Sequence, residues 1–143
     1  MSLTEAEQAE RRSFLRDAMV RTPFISTLGL VVEEWSPAGA RLRLPFSPTL
    51  TNDGKAVHGG AIASLIDTTG AAAVWAGHDF DKGARAATVS LTVNYVGAAR
   101  GTDLVGQARC VKRGKDLAFT DIRVTDPDDR VIATASLVYR IVP

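Results

Sequence analysis

The feature that most constrains the fold of this chain is a long stretch that contains a single charge. Between Ala56 and Gly77 the only formally charged residue is Asp67. Because the stretch is rich in alanine, glycine and threonine and carries a carboxylate, a helix buried in a soluble fold is favoured over a membrane span. Such a helix is apolar on all sides, so other elements of the chain must cover it.

The segments on either side of this helix predict a β-sheet that can provide the cover. Six of them show the alternation or the β-branched composition of strands: residues 29–35, 40–44, 88–95, 104–111, 117–125 and 131–141. Short turns join the later strands, which favours antiparallel pairing. A further helix is predicted over residues 5–19, where Thr4 and Glu7 have the spacing of a capping box. The order of elements predicts an α+β fold in which one curved sheet wraps the apolar helix.

The composition limits the classes of function. A chain of 143 residues fits one domain, residues 1–143, with residues 1–22 as an N-terminal helical segment. A net charge of +1 gives no reason to expect a nucleic acid or a membrane as partner. With one cysteine and two histidines, we expect no disulfide and no metal site. The polar N-terminus lacks the apolar core of a secretory signal, so we expect a cytoplasmic protein.

Asp67 is the first candidate for a functional residue. A carboxylate inside an apolar helix costs several kcal/mol of desolvation unless it is paired or hydrogen-bonded. No lysine or arginine lies within one helical turn of Asp67. At this position a catalytic group and a structural group, held by a hydroxyl such as that of Thr69 or by a neighbouring strand, are both compatible with the sequence.

The start of the same helix offers a second group. Gly59 and Gly60 lie in the expected first turn, where backbone N–H groups have no partner within the helix and the helix dipole favours negative charge. These groups could polarise a thioester carbonyl, or the two glycines could simply allow a tight junction between loop and helix. Asp67 lies eight residues beyond Gly59, about 12 Å along the helix axis. If both groups act on one thioester, they must come from two copies of the chain, as in a two-fold dimer.

The residues from Asn52 to Asp67 resemble the signature of hotdog-fold thioesterases of the phenylacetyl-CoA and human thioesterase superfamily group. The likeness continues through Ala87–Tyr95 and Gly114–Thr120 and ends with the last strand. The resemblance implies a hotdog fold, an acyl-CoA substrate and release of a carboxylic acid and free CoA. It implies no cofactor apart from the coenzyme A of the substrate. It also implies a homodimer. We expect a dimer of dimers, although the sequence leaves the choice between dimer and tetramer open.

The resemblance also assigns a role to each matching residue. Asp67 would be the general base or the nucleophile, and the Gly59 N–H would polarise the thioester carbonyl. Asn52 would orient the attacking water or hold the loop, and His58 would brace the end of the helix that receives the carbonyl. Thr88 corresponds to a position where some members place a serine, and its hydroxyl could hold water.

Some of these predictions depend on less specific patterns. Strict alternation along the strand places Val89 and Leu91 on one face and Thr88 on the other, and the sequence leaves open which face meets the site. Arg113 and Lys115 are candidates to bind the phosphates of CoA, although a solvated turn explains them equally well. Gly60 is a candidate to contact the substrate beside the first glycine of the turn.

Two other functions on the same fold remain open. A hotdog enoyl-CoA hydratase or dehydratase pairs a histidine with a carboxylate, whereas His58 lies in the glycine turn and not beside Asp67. A non-catalytic acyl-CoA-binding regulator would carry an added DNA-binding module, and the residues before Pro23 are too few for one. The sequence favours the thioesterase and does not specify its acyl group.

Overall fold

The computed structural model describes all 143 residues, which form three α-helices and one six-stranded sheet. The elements are, in chain order, α1 (Glu5–Ala18), α2 (Pro23–Ser26), β1 (Val31–Ser36), β2 (Gly39–Leu44), α3 (Gly59–Ala76), β3 (Arg85–Tyr95), β4 (Leu104–Arg113), β5 (Leu117–Thr125) and β6 (Val131–Val142). All strand pairs are antiparallel, and the spatial order is β1-β2-β4-β5-β6-β3. Because α3 contacts every strand, the sheet wraps it, and the predicted hotdog fold is confirmed.

Helix α3 lies in the core, as its composition predicts. Leu65 and Ile66 have no exposed surface. Gly70 lets the helix approach the sheet closely, since a Cβ there would lie 3.1 Å from Oγ1 of Thr120 and 3.2 Å from Cδ1 of Leu137. No helix in the structure has both the length and the apolar character needed to cross a membrane.

Helix α1 is attached to the C-terminal end of α3. It begins with the predicted capping box, in which Thr4 and Glu7 satisfy each other's backbone N–H groups. The buried Gln8 donates a hydrogen bond to the carboxylate of Asp79 (2.8 Å) and accepts one from the backbone N–H of Phe80 (2.9 Å). The N-terminal segment therefore packs on the chain that follows α3.

The two edges of the sheet differ in how well they resist pairing with another strand. At one edge β1 has six residues, includes Glu33 and Glu34, and carries an irregularity between Val32 and Glu34. At the other edge β3 has eleven residues and no charge from Ala86 to Tyr95. Short length and charge are features that block edge pairing, so β1 is protected, whereas β3 is long and uncharged and is open apart from a bulge at Val89.

A bulge at Val89 changes which residues of β3 face the helix. Thr88 and Ser90 pair with consecutive residues of β6, so Val89 has no partner of its own in the ladder. Thr88 therefore lies on the same, helix-facing side as Leu91, and the Val89 side chain is 56% exposed. The prediction that Val89 shares the face of Leu91 is wrong, because strict alternation assumes an uninterrupted ladder.

Candidate active site

Asp67 lies halfway along α3 and is half-buried. Its Oδ1 accepts a hydrogen bond of 2.7 Å from the hydroxyl of Thr88 on β3. None of the ion pairs in the structure includes Asp67. The hydroxyl of Thr69 instead donates to the carbonyl of Leu65, at 2.6 Å. The group that meets the carboxylate therefore comes from a neighbouring strand, and the second carboxylate oxygen stays available to a ligand or to water.

An aromatic pair, Tyr139 and Trp75, lies next to Thr88. Tyr139 on β6 is the cross-strand partner of Thr88, and its hydroxyl accepts a hydrogen bond of 3.1 Å from Nε1 of Trp75. Burial raises the pKa of Tyr139, the hydrogen bond from Trp75 opposes that effect, and the charge of Asp67 adds to it. The phenol is therefore neutral, and it forms part of the surroundings of the carboxylate.

The first turn of α3 is capped by His58. The His58 backbone is extended, with φ −62° and ψ 136°, and its Nδ1 accepts the N–H of Gly60 at 2.7 Å. Because Nδ1 is an acceptor, the neutral ring carries its proton on Nε2. The Gly60 N–H is thus already engaged, whereas the Gly59 N–H occupies the first helical position, where the helix provides no acceptor. Gly59 is the donor that this turn leaves for a ligand, and contact of Gly60 with substrate stays a prediction.

Tyr95, the last residue of β3, lies over Gly59. Its hydroxyl donates a hydrogen bond of 2.8 Å to the Gly59 carbonyl, and its ring carbons lie 3.5 Å from where a Cβ on Gly59 would be. Nothing in the sequence pointed to this residue, because the contact depends on how β3 crosses α3.

The loop before α3 brings Asn52 to the same end of the helix. The backbone N–H of Asn52 donates to the carbonyl of Ala56 (2.9 Å), and that of His58 donates to the carbonyl of Leu50 (2.8 Å). Asn52 is exposed. Asn52, His58 and Gly59 form what we call the turn group.

The predicted site residues therefore form two groups and not one. Asp67 and Thr88, which we call the carboxylate group, meet in the middle of α3, whereas the turn group lies at its N-terminus. The eight residues between Gly59 and Asp67 span about 12 Å of helix. Within one chain, the Gly59 N–H and the Asp67 carboxylate are too far apart to act on one carbon atom.

Arg113 and Lys115 lie at the other end of α3. Arg113 donates a hydrogen bond of 3.3 Å to the carbonyl of Ala73, as cationic side chains near helix C-termini commonly do. Both residues border a small cavity of about 80 Å³, together with His78. Their predicted contact with CoA phosphates stays a prediction. No three His, Cys, Asp or Glu side chains converge closely enough to hold a metal ion.

Comparison with known proteins places this chain in a family. The family described as Thioesterase superfamily matches residues 54–133. A Halobacterium salinarum protein named as a candidate esterase is 41% identical over 108 residues, which cover 73% of this chain and 71% of that protein. The medium/long-chain acyl-CoA thioesterase YigI of Salmonella typhimurium is 26% identical over 133 residues, covering 83% and 85%. The crystal structure of zebra fish thioesterase superfamily member 2 has a TM-score of 0.76 and 26% identity, covering 90% and 94%. The chain belongs to the thioesterase superfamily.

Proposed function

We propose that this protein is an acyl-CoA thioesterase that hydrolyses a thioester to a carboxylic acid and free CoA. The observation that carries the proposal is the half-buried Asp67, hydrogen-bonded to Thr88 in a helix whose first turn leaves the Gly59 N–H free. Membership of the thioesterase superfamily supports thioester hydrolysis in general, and the similarity to an acyl-CoA thioesterase supports a CoA ester as substrate.

In this proposal the turn group polarises the carbonyl. The thioester oxygen accepts a hydrogen bond from the Gly59 N–H, at the positive end of the α3 dipole. As the carbonyl carbon is attacked, negative charge develops on that oxygen, and a preorganised donor stabilises it most in the transition state. His58 caps the turn, and the role proposed for Asn52, on the loop before α3, is to orient water beside the carbonyl.

The carboxylate group supplies the base or the nucleophile. As a base, Asp67 accepts a proton from water while the oxygen of that water bonds to the carbonyl carbon, and the proton then passes to the departing CoA thiolate. As a nucleophile, Asp67 attacks the carbonyl carbon and forms a mixed anhydride, while the carbon–sulfur bond breaks and CoA leaves as the thiolate. Water then hydrolyses the anhydride, which releases the carboxylic acid and regenerates the Asp67 carboxylate. In both cases the hydroxyl of Thr88 holds one carboxylate oxygen and leaves the other free to react.

A two-fold dimer brings the two groups together. The open edge of β3 supports this assembly, because it is long, uncharged from Ala86 to Tyr95, and followed by the exposed Val96. The same strand contacts both groups, through Thr88 and Tyr95. In the proposed dimer the carboxylate group of one subunit completes the site that the turn group of the other begins, which gives two equivalent sites.

Arg113 and Lys115 are proposed to meet the phosphates of CoA. Arg113 ends β4 and Lys115 lies on the turn to β5, near the C-terminal end of α3, and Lys82 borders the same small cavity. Three cationic side chains around one concave surface suit an extended, anionic part of the substrate.

The test is hydrolysis of a panel of acyl-CoA esters that includes short-chain, long-chain and aromatic acyl groups. Loss of thioester absorbance is the preferred readout, since Cys110 would react with a thiol reagent. We expect turnover by the wild-type chain and a decrease of about 10²- to 10⁴-fold in kcat for Asp67→Asn, which keeps an acceptor for Thr88 and removes the basic oxygen.

The matched control is Asp121→Asn, an exposed aspartate on β5, which should leave kcat unchanged. Wild-type turnover by Asp67→Asn would contradict the assignment of the base. Saturable binding of CoA esters without turnover would instead support a non-catalytic binding protein, and hydration of an enoyl-CoA without thiol release would support the hydratase.

A further inference from the structure

The peptide unit between Gly59 and Gly60 is held by a side chain at each end. Its carbonyl accepts the hydroxyl of Tyr95 at 2.8 Å, and its N–H donates to Nδ1 of His58 at 2.7 Å. The two side chains come from different parts of the fold, since His58 precedes α3 and Tyr95 ends β3. Contact from two elements fixes the plane of one peptide in the first turn of a helix.

This peptide is one that would otherwise move easily. Glycine has the widest backbone freedom of any residue, and here two glycines follow each other in the first turn of a helix, where fraying is common. Rotation about the Gly59 backbone would redirect the N–H group of the preceding peptide, which is the proposed donor to the thioester carbonyl. A donor contributes to catalysis only if it already points at the developing oxyanion.

We infer that Tyr95 is a positioning residue. Its hydroxyl holds the peptide between Gly59 and Gly60, which limits rotation of the Gly59 backbone and keeps the Gly59 N–H directed at the thioester carbonyl. The inference rests on the proposed thioesterase function and deepens it. Tyr95 is 51% exposed, so burial of its ring contributes little to stability. Its hydroxyl, in contrast, makes a directed hydrogen bond to the Gly59 carbonyl.

Tyr95 also gives β3 a second link to the site. Thr88, seven residues earlier on the same strand, donates to Asp67, so one open edge strand contacts both the turn group and the carboxylate group. Pairing of β3 with a second subunit would hold the strand and, through these two hydroxyls, both halves of each composite site.

The test is Tyr95→Phe, which removes only the hydroxyl and keeps the ring over Gly59. We expect kcat to fall about tenfold, less than the 10²- to 10³-fold that loss of an oxyanion donor itself costs, because the N–H remains but is less well directed. KM and Tm should change little. The control is Ser13→Ala, which removes an exposed hydroxyl on α1, outside both groups and outside β3, and should leave kcat unchanged.

A spectroscopic measurement separates positioning from a merely structural role. Benzoyl-CoA bound to the Asp67→Asn chain should show a thioester carbonyl stretch at lower frequency than in water, and adding Tyr95→Phe should return it toward the value in water. Unchanged kcat and an unmoved carbonyl band in Tyr95→Phe, beside active wild-type enzyme, would overturn this inference and leave the proposed function intact. A wild-type chain that neither binds nor hydrolyses any acyl-CoA would overturn both.

Discussion

The two ends of α3 each carry a histidine, and the chain uses them in different ways. At the N-terminus His58 is exposed, and its Nδ1 accepts the N–H of Gly60 while the Gly59 N–H is left without a helical acceptor. At the C-terminus His78 is 6% exposed, and its Nε2–H donates to the carbonyl of Gly83 at 2.8 Å.

The residues around His78 add to this difference, because they engage both its ring and the nearby backbone carbonyls. At the C-terminal end Trp75 stacks on Phe80 with ring centroids 5.6 Å apart, and the His78 ring lies nearly perpendicular to the indole, with centroids 5.0 Å apart. Arg113 and Arg12 donate to the Ala73 and His78 carbonyls there. At the C-terminal end the backbone carbonyls are thus engaged by side chains, whereas the N-terminal end keeps the Gly59 N–H as a free donor. Residue type alone does not separate the two ends, so we expect the chemistry at the end whose backbone N–H is unengaged.

The comparison predicts that changes at the N-terminal end alter turnover, and the largest effect is expected for Gly59→Pro. Proline removes the N–H but suits the first helical position, and the extended backbone of His58 is the one that precedes proline. We expect kcat to fall about 10²- to 10³-fold with Tm near the wild-type value.

The matched control for this change is Gly59→Ala, which keeps the N–H. Its Cβ would lie 3.5 Å from the ring of Tyr95, an ordinary contact, so we expect kcat within a few-fold of wild type. Equal losses of kcat in the proline and alanine variants would show that the Gly59 N–H is not the donor. The proposed difference between the two ends of α3 would then not hold.

For His78, at the C-terminal end, we expect a smaller effect, on stability and not on kcat. Burial lowers the pKa of His78, and the charges of Arg113 and Lys82 act in the same direction, whereas the hydrogen bond to Gly83 and the charge of Asp79 oppose them. The folded chain therefore disfavours the protonated ring. The contribution of His78 to the free energy of unfolding is fully present above the unfolded pKa of about 6.5. It decreases as the pH falls from that value toward the lowered pKa of the folded chain.

His78→Gln tests this linkage, because glutamine can donate to the carbonyl of Gly83 but does not titrate. Between about pH 7.5 and 5.5 we expect the Tm of the wild type to fall by a few degrees more than that of the variant, with kcat at neutral pH unchanged. If Tm depends on pH equally in both proteins, His78 does not provide the linkage. If His78→Gln loses turnover, the C-terminal end of α3 does not act on stability alone.

The sequence predicted the framework of the fold, and its residues themselves pointed to Asp67 and Gly59, whereas Asn52, His58 and Thr88 were predicted from the family resemblance. The uncharged stretch around Asp67 identified the buried helix, and the alternating segments identified the sheet that wraps it. The bulge at Val89 was not predictable, because an extra residue in a ladder leaves no mark in an alternating pattern, and so the orientation of Thr88 was open. The contact of Tyr95 with Gly59 depends on how distant elements cross.

The hydrogen bond of Arg113 was not predictable for the same reason. In the sequence it is a charge near a turn, and its hydrogen bond to Ala73 joins residues forty positions apart. Local patterns predict which elements form, whereas tertiary packing decides which polar groups are engaged and which remain free.

The central claim is that each site combines the turn group of one subunit with the carboxylate group of the other. The direct test is a mixed dimer of Asp67→Asn and Gly59→Pro chains, isolated through two different tags. One of its sites carries both changes and the other carries neither, so we expect about half of the wild-type turnover from two nearly inactive parents. If the mixed dimer is no more active than the parents, the two groups do not act together across subunits, and the proposed site is wrong.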